Sequence, residues 1–188
     1  MKTVFLSFVL MSLFALPTVS AQTRSKESPS FPGVSKAQMT ALRDIERVAP
    51  VALPTWVPDG FTLEEIHSRL GSDLEIYERE LILIYSRSMP NGRLQRFALE
   101  AGFDGIGDLP YDETKIIRSS VGDIYLVYEP NDPDNPKERL AGYVMTQWFT
   151  VGNVAYHYDG MFGIESTKNL EMISFADTEK ILASLREF

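Results

Sequence analysis

An α+β fold, an antiparallel β-sheet with an N-terminal helix and a C-terminal helix packed on it, is the class the sequence predicts. Three observations lead there. Apolar side chains recur with a period of two in several short runs between positions 61 and 159, the spacing of strands. Asn91-Gly92 and Gly152-Asn153 each separate two such runs, and both are residue pairs that tolerate the positive φ of tight hairpins. Apolar spacing of three or four residues is confined to the two ends of the region. Strands grouped together and bracketed by helices argue for α+β rather than alternating α/β.

The elements follow in order. Residues 35–50 form the N-terminal helical unit. Ser35 and Gln38 have capping-box spacing, Met39, Leu42, Ile45 and Ala49 form one apolar stripe, and Pro50 stops the helix. Pro50, Pro54 and Pro58 make a stiff, extended connector around Trp56. Phe61, Leu63, Ile66 and Leu70 fit a strand except for a one-residue slip, compatible with a bulge or a short helix. Tyr77 to Arg87, with Leu81-Ile82-Leu83-Ile84-Tyr85, is a central strand. A two-residue turn at Asn91-Gly92 would set Ile84 opposite Leu99 and Ser86 opposite Phe97. Lys115 to Ser119 and Ile124 to Glu129 are further strands, as are Tyr143 to Val151 and Val154 to Asp159. Phe175 to Phe188 reads as the C-terminal helix, capped by Ser174, with Asp177 in its first turn and Ile181, Leu182 and Leu185 as its buried stripe. Residues 51–188 thus form a single domain.

The first 21 residues have a different character. Lys2 supplies a positive start, Val4 to Leu16 is apolar apart from Ser7 and Ser12, and Val19-Ser20-Ala21 places small residues before a cleavage point. The apolar run is shorter than the roughly 20 residues that span a bilayer. A removable secretion signal is expected, followed by a polar leader over residues 22–34. Export would place the mature chain in the periplasm or outside the cell. Its full absence of cysteine suits a bacterial envelope protein and excludes a thiol nucleophile, a thiolate metal site and an N-terminal lipid anchor. The formal net charge is −8, and loss of Lys2 makes it one unit more negative. Such a surface disfavours nucleic acid as a partner, and no later run is apolar enough to span a membrane.

Chemistry-bearing residues are sparse. His67 and His157 are the two histidines, so any Ser-His-Asp arrangement has two candidate bases, and no Gly-x-Ser-x-Gly elbow presents a serine. Metal-type histidine spacing is missing as well. Asn131, Asp132, Asp134, Asn135 and Glu138 offer oxygen ligands of the kind calcium takes, but without the glycine and distal glutamate of an EF-hand loop they read as an exposed turn. Asp104, Asp108, Asp112 and Glu113 read as a solvated acidic loop. No catalytic residue and no cofactor or metal is expected. The aromatic residues are more informative. Tyr125, Tyr128, Tyr143, Trp148, Phe149 and Tyr156 fall on strands, and alternation sends part of the set away from a one-sided core. A Gly152-Asn153 turn pairs Phe149 with Tyr156 and Trp148 with His157, and puts Gln147 opposite Tyr158. Trp148, His157, Tyr125 and Tyr143 are the candidate binding residues.

Three stretches carry a resemblance. Trp56-Val57-Pro58-Asp59-Gly60-Phe61 resembles the W-x-P-x-G-F entry of the C-terminal domain of periplasmic sigma-E regulators of the RseB/MucB type. Ile84-Tyr85-Ser86, with Gly92 and Phe97-Ala98-Leu99-Glu100, resembles their next hairpin. Trp148 to Gly160 with the final helix is similar to an uncharacterised extracytoplasmic domain of bacterial anti-sigma and sporulation-associated proteins. The resemblance covers about residues 50 to 188. It implies a non-catalytic domain that binds protein or lipid at the envelope and adjusts signalling. The expectation is a binding module that recognises a protein or an apolar ligand through an aromatic sheet face. The alternatives are a lipid- or lipoprotein-handling chaperone, which needs an interior cavity, and a hydrolase using His157. If the signal is read correctly, mass analysis of the exported protein will find Gln22 as its first residue; a chain that retains Met1 to Ala21 would contradict it.

Overall fold

A computed structural model of the chain describes residues 30–104, 114–128, 144–160 and 169–188. The signal and most of the leader, the two acidic loops apart from Asp104, and Tyr143 lie outside the described residues. Among those described, the elements are α1 (Lys36–Glu46), β1 (Ala52–Pro54), β2 (Thr62–Arg69), a 3-10 turn (Ile76–Glu78), β3 (Glu80–Ser88), β4 (Leu94–Gly102), β5 (Thr114–Ser119), β6 (Gly122–Tyr128), β7 (Val144–Thr146), β8 (Phe149–Val151), β9 (Val154–Asp159), α2 (Phe175–Ala183) and β10 (Leu185–Glu187). All strand pairings are antiparallel, and the main sheet runs β2-β3-β4-β9-β7-β6-β5, with β8 paired to β9. The chain is an α+β fold.

The start of α1 follows the sequence closely. Ser35 accepts the Gln38 amide while the Gln38 side chain accepts the Ser35 amide, a complete capping box. The Gln38 amide group also donates to the Leu63 carbonyl, tying α1 to β2. Leu42 is fully buried against the sheet. The slip seen at 61–70 is a bulge: Leu63 lies opposite Tyr85 but Glu65 lies opposite Ile84.

One face of the sheet carries the main core. Leu81, Leu83 and Tyr85 of β3 pack with Phe97, Leu99 and Ala101 of β4, and with Tyr156 and Tyr158 of β9. Tyr85 stacks on Phe97 at 4.9 Å, and Phe97 on Tyr158 at 5.3 Å. Burial pushes the phenol pKa values of Tyr85, Tyr156 and Tyr158 well up, so all three stay neutral. Tyr156 donates to the Pro50 carbonyl at 2.7 Å, and the Tyr158 hydroxyl lies 3.5 Å from that of Thr178 on α2. The sheet is therefore tied to the connector and to the last helix by buried phenols.

Two expectations are corrected. The β3–β4 hairpin is one residue out of the expected register: Tyr85 faces Phe97, Leu83 faces Leu99, Ile84 faces Ala98 and Ser86 faces Arg96. The cause is Pro90. The Met89 amide bonds the Arg93 carbonyl, leaving a three-residue loop, Pro90 to Gly92. Pro90 has its φ locked near the value of a turn's second position, and only Gly92 takes a positive φ. Ile82, Ile84 and Ala98 consequently form a separate small cluster on the opposite face.

The second correction is at the C-terminus. The helix begins at its Ser174 cap as expected but ends at Ala183, and Leu185–Glu187 is a strand paired with β1. Ser184 makes the change of direction. Its hydroxyl accepts the Trp56 amide, and its carbonyl accepts both the amide and the hydroxyl of Thr55. These tertiary bonds offer the backbone more than another turn of helix would. Leu185 is still fully buried, from the strand rather than from the helix. Lys180 lies 5.2 Å from the centre of the Trp56 ring, so the Trp56 segment serves as the seat of the chain end. Leu185→Ala should cost about 2–5 kcal/mol of stability, whereas Arg186→Ala, one residue on and exposed, should stay within about 0.5 kcal/mol; chemical denaturation of both variants measures the contrast.

Candidate functional site

The site is built on the β8–β9 hairpin. Gly152 takes a φ of 58°, and a Cβ there would lie 2.6 Å from the Pro50 ring, so both the turn and its packing require glycine. The two-residue turn pairs Val151 with Val154 and Phe149 with Tyr156, as expected, and all four are buried.

Beyond Phe149 the strand breaks. Met145 lies opposite Asp159 and Phe149 opposite Tyr156, so three residues on one side span two on the other. The extra residue lies at Gln147-Trp148, between β7 and β8. Tyr143 to Val151 is therefore two short strands around a bulge, and Gln147 does not face Tyr158. Thr146 does: its hydroxyl, fully buried, accepts the Tyr158 amide at 2.9 Å. A side-chain oxygen replaces the backbone carbonyl that an unbroken ladder would have supplied. The Gln147 amide is satisfied by the Tyr125 carbonyl at 2.9 Å.

Alternation from Phe149 puts Trp148 on the face opposite the main core, where it packs on His157 with ring centroids 4.6 Å apart and planes at 55°. Trp148 is half-buried. His157 has a side-chain exposure of 14 %, and its Nε2 is 3.4 Å from Glu100 Oε1. Its Nδ1 is buried with no hydrogen-bond partner among the described residues. One nitrogen thus faces a carboxylate, and the other is buried.

Four strands contribute to one transverse row: His67 on β2 faces Ile82 on β3, Ile82 faces Glu100 on β4, and Glu100 faces His157 on β9. Both histidines of the chain lie in it. His67 Nε2 is 3.0 Å from Glu80 Oε2. Farther along this face Arg96 forks onto both Glu64 oxygens, at 2.7 and 3.2 Å, and this bonding holds the Glu64 carboxyl below its ordinary pKa. Beside the row opens a cleft of about 330 Å³ lined by Arg69, Tyr77, Glu78, Arg79, Glu80, Ile82, Glu100, Ala101 and Trp148.

Trp148 and His157 are thus brought together as the sequence suggested. Tyr125 is not part of the cleft. It is 40 % exposed on β6, opposite Ile116 on β5, and its carbonyl accepts the Gln147 amide. Tyr143 lies outside the described residues. Sequence reasoning missed Glu100, Glu80, Ile82 and Tyr77. The signal that would have found Glu100 and Ile82 was Pro90, because a three-residue loop sets them opposite each other. Among the described residues no group of three or more His, Cys, Asp or Glu side chains could hold a metal ion, and no helix is long and apolar enough to cross a membrane. Comparison of the chain with family models, with curated proteins and with solved structures finds no match.

Proposed function

We propose that this chain is an exported, non-catalytic binding module of the bacterial envelope that recognises a protein partner through the face carrying Trp148. One observation carries the reading. A large aromatic side chain stands next to a bulge, on the face opposite the main core, held half-buried on a histidine beside an open cleft. A tryptophan needed only for packing would sit where Phe149 and Tyr156 sit. Partly exposed aromatics on rigid elements are favoured binding anchors, since they bring large contact area at little entropic cost.

The same geometry argues against the alternatives. A lipid carrier needs an interior cavity, but the core beneath this face is filled by the Tyr85, Phe97 and Tyr158 stack. A hydrolase of the Ser-His-Asp kind needs a nucleophile beside its histidine, and among the described residues no serine, threonine or cysteine lines the cleft. The resemblance to sigma-E regulators supports an envelope signalling protein as the partner class.

Immobilised mature protein, exposed to an envelope extract, should retain its partner, and Trp148→Ala should reduce capture at least about tenfold while leaving the unfolding transition cooperative. Phe149→Ala, in contrast, should lose about 3–5 kcal/mol of stability. Equal capture by the wild type and Trp148→Ala would remove the Trp148 face from recognition.

A further inference from the structure

The cleft beside Trp148 has a charge pattern that narrows the partner. Trp148 and Tyr77, 68 % exposed, are two aromatic residues of its lining, and Ile82 adds an apolar side chain. Its acidic groups are Glu78, Glu80 and Glu100. Glu80 faces Gly102 and Glu100 faces Ile82, so the two carboxylates are diagonal neighbours across β3 and β4, with Cβ atoms roughly 7–8 Å apart at most.

We propose that this cleft takes the cationic side chain, guanidinium or ammonium, of a basic segment of the partner. The proposal rests on the reading of the Trp148 face as a docking surface and adds the chemistry of what docks. A cation beside an aromatic ring is attracted by the ring face, and a carboxylate at the same place adds a charge-assisted hydrogen bond. His67 meets Glu80 through Oε2, and His157 meets Glu100 through Oε1. A carboxylate has about four acceptor sites, so each retains capacity for a ligand donor. The histidines act as positioning residues that hold the two carboxylates over the cleft.

Two arginines line the same space, and their placement matters. Arg79 directs Nε and Nη2 to the Leu74 carbonyl, both at 3.3 Å, which turns its guanidinium toward its own turn. Arg69 stands opposite Glu80 across β2 and β3. An incoming guanidinium would compete with it there. Glu78 likewise turns Oε2 to the Glu75 amide, at 3.0 Å, so Glu80 and Glu100 against Arg69 leave the cleft complementary to a cation.

The test uses the mature chain labelled with nitrogen-15 and its two indole N–H signals, told apart by Trp148→Phe. Three acetylated, amidated tripeptides serve as probes, with arginine, its neutral isostere citrulline, or glutamate at the centre. The arginine probe should move the Trp148 indole signal saturably, and the citrulline and glutamate probes should not. Glu100→Gln and Glu80→Gln should each weaken the arginine response at least about fivefold, with folding checked by the dispersion of the remaining signals. A citrulline response equal to that of arginine, a stronger response to glutamate, or full affinity in both glutamine variants would overturn the proposal. If the arginine probe fails while Trp148→Ala still loses the partner, the cationic ligand alone is overturned. If Trp148→Ala keeps the partner, the docking face falls and this proposal with it.

Discussion

The hydrogen bond from the Tyr158 amide to the Thr146 hydroxyl is the contact on which the arrangement of the functional face depends. A strand inside a sheet must give each buried amide a partner, or lose about 1–3 kcal/mol for the one left bare. The extra residue at Gln147-Trp148 breaks the backbone ladder at that point. Thr146, fully buried, supplies the missing acceptor from its side chain, and the Tyr125 carbonyl takes the Gln147 amide on the other side. With both donors satisfied, the bulge is compatible with a buried sheet. Trp148 can then leave the ladder while Phe149, only one residue later, stays in the core opposite Tyr156.

Tyr158 links that local device to the rest of the molecule. Its ring lies in the stack with Phe97 and Tyr85, and its hydroxyl reaches Thr178 on α2. Tyr156, two residues earlier on the same face, bonds the Pro50 carbonyl. The connector that starts at Pro50 pairs through β1 with the last strand. The functional hairpin is thus clamped at both ends, by the final helix and by the two-stranded ribbon at the chain's end. On the proposed function, a rigid scaffold under Trp148 would keep the ordering entropy lost on docking small. On the opposite face, polar pairs replace the packed rings, and His67, Glu80, Glu100 and His157 hold one another in place.

Local signals in the sequence proved readable where a few neighbouring residues determine the outcome. Ser35 with Gln38, the Ser174 cap and the Gly152-Asn153 turn each rest on contacts within four residues, and each is found as expected. The slip between Leu63 and Glu65 was visible as an off-period pair. Competition between distant segments was not visible. Leu185 fits a helical stripe or a buried strand position equally well, and the deciding bonds come from Thr55 and Trp56, more than 120 residues away. The Asn91-Gly92 pair suggested a two-residue loop, and one neighbouring proline changed the register of the entire hairpin. That single step hid the pairing of Ile82 with Glu100, and with it the row that holds both histidines. Trp148 was legible because the register could be counted outward from a glycine turn; the cleft beside it was not, since it is formed by residues from five separate strands and turns.

Replacing Thr146 by valine keeps the shape of the side chain and removes the hydroxyl, and with it the acceptor, which makes it the most direct measurement on this account. The unfolding free energy and the Trp148 indole resonance should be recorded together on the wild type and Thr146→Val. The account predicts a loss of about 1–3 kcal/mol and a displaced Trp148 signal, as the ring leaves its position on His157. Stability within about 0.5 kcal/mol of the wild type and an unmoved Trp148 signal would show that the bulge stands without Thr146 and would contradict the account.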